Sequence, residues 1–491
     1  CNFIYLIEQQ FLLSLSDQMH FKRLLTRTLF LLAGSIIGCK HASSLSEQLR
    51  PNLLFILVDD QRNDILGCAG NPIVQTPTVD KLAEKGKRFT NAFVTTSICA
   101  ASRASILTGL YECTHQYTFG QPPLKRDYLE KSYPFLLKQA GYRTGFVGKL
   151  GVEMEERDTM LKEMFDYCRL STHNTPYFDT LPDGRRLHSS EIKGQQAIEF
   201  IRQQSPGQPF CLSISFNAVH AVDNNLTPGK AGHYPYPDAM DHLYEGVTMP
   251  KPILSSPEIF EQHPDFLKKS MNRIRYFWRW DTDAKYQTNM QAYFRMISGY
   301  DWVIKQVLEV LQEQGLDNNT IVVFAADNGY YMGERGFAGK WSHYEESLRV
   351  PLIIYDPRTP SGSTNATDDR IVLNIDIPST LLSYAGVTIP GMYQGQSLVP
   401  LMGGEVTSWR DGFFCEHRMN HPDIPKWKGY RGSRYVYANY YEQNPPYEYL
   451  HDLQQDPQEL INLASHSDYQ SLLEEMRTLS NREEEELTGY H

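Results

Sequence analysis

Paired cysteines are missing from this chain. Its 491 residues include eight cysteines, none in a CxxC pair or in a His/Cys cluster with zinc spacing, which excludes a disulfide-built scaffold and a structural zinc module. An excess of positive charge is missing too. Against 58 Asp and Glu stand 47 Lys and Arg, a formal net charge of -11, which argues against a general nucleic-acid binder. It says nothing against a small anionic substrate, which feels only local charge. No stretch marks large-scale disorder, and 41% hydrophobic with 21% charged residues describes a globular protein with room for one large domain and a smaller one.

No apolar run is long enough to span a bilayer. The run Thr28 to Ile37 is preceded by Lys22, Arg23 and Arg27 and followed by Gly38-Cys39, the order of a secretory signal. Ile36-Ile37-Gly38-Cys39 resembles a bacterial lipobox, which implies cleavage before Cys39, a lipid anchor on that thiol and an exported, periplasmic or outer-membrane lipoprotein. Residues 1 to 18 precede Met19 and read as upstream extension. The expected organisation is extension and signal over 1–38, a linker over 39–50, a catalytic domain over 51–400 and a C-terminal subdomain over 401–491.

Short continuous apolar runs at 52–58, 144–148, 210–216, 320–326 and 351–355 read as strands buried on both faces. Helical spacing connects them: Tyr293, Ile297, Tyr300, Ile304, Val307, Leu308 and Leu311 share one face of a helix that should stop near Gly315, and 376–386 repeats the plan. The pattern predicts an α/β fold with a largely parallel sheet covered by helices on both sides, a class that binds ligands at the carboxyl ends of its strands. Those ends carry Asp59-Asp60 and Asp327-Asn328, an oxygen-rich set suited to one hard cation, calcium more readily than magnesium. Lys149, Lys340, Arg103 and His220 also lie at or just beyond strand ends. With a metal they describe a pocket for a tetrahedral oxyanion.

The stretch from Cys99 to Gly109, "CAASRASILTG", resembles the signature of the type I, formylglycine-dependent sulfatases. "LFILVDDQRND", "GYRTGFVGK", "SFNAVHA" and "FAADNGYYMGERGFAGKW" follow in family order, so the likeness runs from about residue 51 to 465. It implies an alkaline-phosphatase-like fold with a small antiparallel C-terminal subdomain. It further implies hydrolysis of sulfate esters on carbohydrates, as in bacterial lipoprotein sulfatases. In that family the cysteine is converted by a maturase enzyme to formylglycine. Carried over, Asp59, Asp60, Asp327, Asn328 and the modified Cys99 hold calcium; Arg103 stabilises the hydrated aldehyde; Lys149 and Lys340 bind sulfate oxygens; His220 meets the leaving-group oxygen.

One departure stands out. The family's Gly-Lys-Trp-His-Leu-Gly run is shortened to Gly148-Lys149-Leu150-Gly151, so the histidine that assists breakdown of the sulfated intermediate has no counterpart there. His115 and His343 are candidate substitutes, each more simply read as structural. Two other readings stay open: a phosphomonoesterase or phosphodiesterase on the same fold, and a catalytically silent glycan-binding lipoprotein. Arg273, Arg275, Trp278, Arg279 and Trp280 belong either to an amphipathic helix on the sheet or to a sugar-binding surface. Glu416, His417 and Arg418 are expected to border the substrate mouth.

Overall fold

The computed structural model describes residues 50–119, 122–171, 176–359, 366–403 and 406–489; the expected signal and the expected anchor at Cys39 lie outside them. Eight strands form the central sheet: β1 (Asn52–Val58), β2 (Lys87–Phe93), β3 (Arg143–Lys149), β4 (Tyr167–Ser171), β5 (Phe210–Ser215), β6 (Thr320–Ala326), β7 (Leu352–Tyr355) and β8 (Ala366–Leu373). Their order is β8-β2-β7-β6-β1-β5-β3-β4. β1 runs parallel to β5 and β6, with Leu53 opposite Cys211 and Val58 opposite Ala326, and β3 runs parallel to β5 and β4. β7 is antiparallel to both its neighbours. The sheet is therefore mixed and mostly parallel, and each apolar run singled out in the sequence is one of its strands.

All seven residues of β1 and of β6 are buried, as expected where helices cover both faces. One helix group comprises α1 (Pro77–Lys85), α4 (Ser189–Arg202) and α6 (Asp283–Glu313); a second comprises α2 (Cys99–Thr108), α3 (Tyr133–Gln139) and α7 (Asp376–Tyr384). Members of each group pack on one another, and both groups reach β3. α6 begins where Thr282 caps it, its hydroxyl accepting the Lys285 amide at 3.3 Å, and it ends just before Gly315, whose φ is +68°. A second sheet holds β9 (Gly412–His417), β10 (Trp427–Gly432), β11 (Tyr435–Tyr440) and β12 (Tyr447–Asp452), all antiparallel in sequence order. The final helix, α8 (Gln470–Thr488), lies against it.

α5 (Met271–Arg279) is a helix, but it does not lie on the central sheet. It packs against the 336–340 segment, with Asn272 Nδ2 donating to the Lys340 carbonyl at 2.6 Å and Arg273 to the Gly336 carbonyl at 2.9 Å. Arg273 is spent on this packing and stacks on Phe260 at 3.8 Å from the ring centre, while Arg275 and the fully buried Arg279 both pair with Asp223.

Candidate active site

Four adjacent parallel strands, β6, β1, β5 and β3, end at one edge of the sheet, so the residues following them converge. β1 delivers Asp59 and Asp60, β6 delivers Asp327 and Asn328, β3 ends in Lys149, and the turn after β5 carries His220. Helix α2 starts there with Cys99 as its first residue, and Ile98 before it supplies no side-chain cap. An uncapped helix N-terminus with its free amides favours anions. Asp59, Asp60, Asp327 and Asn328 are all at most 1% exposed.

The charges pair in a defined pattern. Arg103, one turn along α2 from Cys99, donates from Nε to Asp327 Oδ2 at 2.7 Å, from Nη2 to Asp59 Oδ2 at 3.4 Å and from Nη1 to Ser215 Oγ and the Lys149 carbonyl, both at 2.6 Å. Lys149 Nζ donates to Asp59 Oδ2, and Lys340 Nζ to Asp60 Oδ1. Asn328 Nδ2 donates to the same Asp60 oxygen at 2.7 Å. Each lysine directly follows a glycine in the left-handed region, Gly148 at φ +108° and Gly339 at +111°. A Cβ on Gly148 would sit 1.9 Å from the Ser215 carbonyl oxygen, and one on Gly339 would sit 2.7 Å from Asn272 Oδ1. These bends turn the lysines into the site, and no larger residue fits either bend. Asp60 and Trp341 also have positive φ, +55° and +74°, a backbone cost that concentrates at functional sites.

Burial by itself would raise the Asp59 carboxyl, yet Lys149, His220, Arg103 and Lys340 hold it well below the usual carboxylate range. At Asp327 burial and the neighbouring Asp59 charge win, and its carboxyl is pushed up to about 6. Burial also raises the Cys99 thiol, only partly opposed by Lys149 and Lys340. A thiol kept protonated is a weak nucleophile.

Hydrogen bonds occupy both oxygens of Asp327, whose Oδ1 accepts the Asp60 amide at 3.2 Å, but only one oxygen of Asp59 and of Asp60. Asp59 Oδ1, Asp60 Oδ2 and Asn328 Oδ1 are buried without a hydrogen-bond partner, and ligand atoms of Asp59, Cys99 and Asp327 lie within 4.8 Å of one another. Orphaned buried carboxylate oxygens are costly unless a cation meets them, so this oxygen-donor set fits a hard divalent ion. His220 donates through Nδ1 to the Ala221 carbonyl at 2.7 Å, and its Nε2 lies 3.7 Å from Asp60 Oδ2; burial lowers its pKa against the pull of Asp60 and Asp59.

A cavity of about 220 Å³ opens over this cluster, lined by Cys99, His220 and Lys340 and by Asp223, Arg275, Trp341 and His421 among others. A larger one of about 480 Å³, between α1 and α6, carries none of the strand-end groups. The opening over Cys99 therefore gives access to the chemistry.

The family model for sulfatases matches residues 51–387, and that for the C-terminal part of N-sulphoglucosamine sulphohydrolase matches 333–486. This chain belongs to the sulfatase family. The N-acetylglucosamine-6-O-sulfatase of Bacteroides thetaiotaomicron is 26% identical, over 92% of this chain and 89% of its own length. Among solved structures, one determined in complex with its substrate D-glucosamine-2-N,6-O-disulfate superposes with a TM-score of 0.73 at 24% identity, covering 90% of this chain and 98% of that one. The phosphonate monoester hydrolase of Agrobacterium radiobacter superposes at 0.68 with 22% identity, covering 88% and 95%. The sulfatase has the expected alkaline-phosphatase-like fold and is a sulfuric ester hydrolase.

All nine residues singled out for the site come together at this edge. The candidate substitutes for the missing histidine do not. His115 Nδ1 accepts the Tyr117 amide at 3.0 Å and Nε2 pairs with Ser105 Oγ at 3.1 Å, and His343 Nδ1 pairs with the Tyr440 hydroxyl at 3.0 Å inside an aromatic cluster. Neither lines the cavity. Glu416 and His417 are fully buried in β9, and Arg418 pairs with Glu416 and Glu484. From that subdomain Met419, His421 and Ile424 reach the cavity instead. Asp223 and Trp341 could have been found by adjacency, three residues past His220 and one past Lys340. His421 has no such signal.

Proposed function

We propose that the protein is an exported sulfatase that removes sulfate from sugars with a formylglycine derived from Cys99 and one calcium ion. The observation that carries this reading is the convergence of Cys99, three buried acceptor oxygens without partners and two bend-fixed lysines beneath one cavity. Asp59, Asp60, Asp327 and Asn328 would hold the calcium, whose charge polarises a sulfate oxygen. Cys99, once converted to formylglycine and hydrated, would supply the attacking oxygen and, through its second hydroxyl, the means of releasing sulfate. Lys149 and Lys340 offset the charge on the sulfate oxygens, and Arg103 fixes the metal carboxylates while lying one turn from Cys99. His220 lines the cavity with Nδ1 donating to the Ala221 carbonyl and Nε2 beside Asp60; in its doubly protonated form, which burial opposes and Asp60 and Asp59 favour, it would give the Nε2 proton to the departing sugar oxygen.

Cys39 as a lipid anchor and a maturase acting on Cys99 belong to the same proposal and rest on the sequence of 19–39 and 99–109. The carbohydrate substrate is supported by the N-acetylglucosamine-6-O-sulfatase likeness and by an apolar wall of Ile98, Trp341 and Ile424 beside Cys99, suited to a sugar face. The test is sulfate release from a panel of sulfated mono- and oligosaccharides, with phosphate and phosphonate monoesters alongside, before and after chelation. Calcium should restore sulfate release better than zinc. Turnover of the phosphorus esters alone, restored by zinc, would contradict the reading.

A further inference from the structure

The cavity surface is mainly apolar, and a few nitrogen donors are set into the wall away from the metal carboxylates. Arg275 on α5 donates from Nη2 to Asp223 Oδ2 at 2.6 Å, and its plane lies over the Trp341 ring, 4.7 Å from the ring centre. Its Nε is buried with no hydrogen-bond partner, and so is Trp341 Nε1. His421 Nδ1 accepts the Asp423 amide at 3.1 Å, which leaves the proton of the neutral ring on Nε2, a third donor. Asp223 is an acceptor in this wall, but it is already engaged by two guanidiniums: Arg279 Nη2 bonds Asp223 Oδ1 while Arg275 takes Oδ2. Those arginines overcome its burial and hold its carboxyl far below the usual range. Two arginines on one carboxylate leave this wall with one net positive charge.

A neutral hydroxyl would satisfy at most part of such a wall, since it brings a proton of its own. An acceptor-only group satisfies all of it. We propose that Arg275, Trp341 Nε1 and His421 Nε2 form a subsite for a second oxyanion, a sulfate or carboxylate carried by the same sugar whose sulfate ester faces Cys99. The subsite rests on the sulfated-sugar reading above. The cavity of about 220 Å³ suits a single pyranose ring, so both anions belong to one residue of the glycan. Arg275 is a specificity residue here, because its guanidinium meets the substituent that is not cleaved.

The proposal can be tested by binding, without turnover. Calorimetry on the full chain carrying Cys99→Ala would compare a hexosamine with two sulfates, the same sugar with one, and a monosulfated uronic acid. A charge-assisted hydrogen bond in a partly buried site corresponds to roughly 10- to 100-fold in affinity, so the doubly charged sugars should bind tighter than the monosulfated one by that factor. The disulfate and the uronate tell sulfate from carboxylate as the preferred group. Arg275→Gln should bring the three affinities together, and Arg275→Lys should keep part of the preference; His421→Phe, which leaves the Asp223 pair intact, should narrow it independently. Equal affinity of the wild-type pocket for singly and doubly charged sugars would overturn the subsite and leave the sulfatase reading standing. Failure to bind any of the sugars would contradict the substrate reading itself, and the subsite with it.

Discussion

Arg103 Nε donates to Asp327 Oδ2 across 2.7 Å, tying the helix that starts at Cys99 to the strand that ends at Asp327. Both side chains are almost wholly buried, 3% and 0% exposed. Removing one partner of a buried pair strands the other charge, which costs about 3–5 kcal/mol. Arg103→Ala should therefore lower the unfolding free energy by that order as well as abolish activity, measured by denaturant titration. Arg103→Lys should recover part of the stability and little activity, because a point charge cannot reach Asp327, Asp59, Ser215 and the Lys149 carbonyl together.

The lysines belong to equally buried pairs, 2% and 3% exposed, so their loss also lowers stability, but their proposed role adds contact with substrate. Lys149 and Lys340 each face one carboxylate and, in the proposed role, the sulfate oxygens. Replacing either by Ala should cost on the order of 10²- to 10³-fold in kcat/KM, the loss seen when a donor to developing charge is removed. The far-ultraviolet circular dichroism should be unchanged. Loss of secondary structure in either variant would assign that lysine to the fold.

Much of this was readable in advance, for a physical reason. β1, β3, β5, β6 and β7 lie in the middle of the sheet or next to it, covered by helices, so selection for burial wrote them as continuous apolar runs. β4 and β8 are edge strands, and β2 alternates, with Arg88, Thr90 and Asn91 only partly buried; "KRFTNAF" and "ATDDRIVL" carry too many polar groups to stand out. The catalytic cluster was legible because each member ends a strand. Arg275 and His421 come from a packed helix and a turn whose positions depend on tertiary contacts, and no spacing in the chain predicts them.

Two buried glutamates should each contribute a loss of stability as pH rises toward 8. Burial and the adjacent Glu416 carboxylate push Glu112 from its ordinary 4.5 up to about 8, and burial and Glu345 do the same to Glu459. Between those values the unfolded chain has released protons that the folded chain retains, so the unfolded state binds fewer and the slope of stability against pH is negative. The contribution is full below about pH 4.5 and gone above about 8. Buried histidines such as His115 and His417, held near 3 by burial, slope the other way up to about pH 6.5, so the glutamate contribution is read as a difference: thermal melts of Glu112→Gln, isosteric with the protonated acid, should show a less negative slope against pH than wild type between about 6.5 and 8. An unchanged slope would mean that Glu112 is ionised in the fold.

Kinetics should expose the histidine absent after Lys149. If no other base takes its place, sugar is released faster than sulfate, and the first turnover appears as a burst stoichiometric with enzyme, followed by a slower steady state. His115→Ala and His343→Ala should lower the melting temperature, since both rings are buried and bonded, but leave the slow phase alone. A slow phase reduced roughly 100-fold in either variant would identify that ring as the base.

Peptide mass spectrometry of protein produced with a maturase, paired with sulfate release by the same sample, tests the central claim most directly. The account predicts a Cys99 peptide about 18 Da lighter than the unmodified thiol, the change from thiol to aldehyde, with specific activity rising in proportion to the converted fraction and absent from Cys99→Ala. Full sulfate release by protein whose Cys99 remains an unmodified thiol would contradict it.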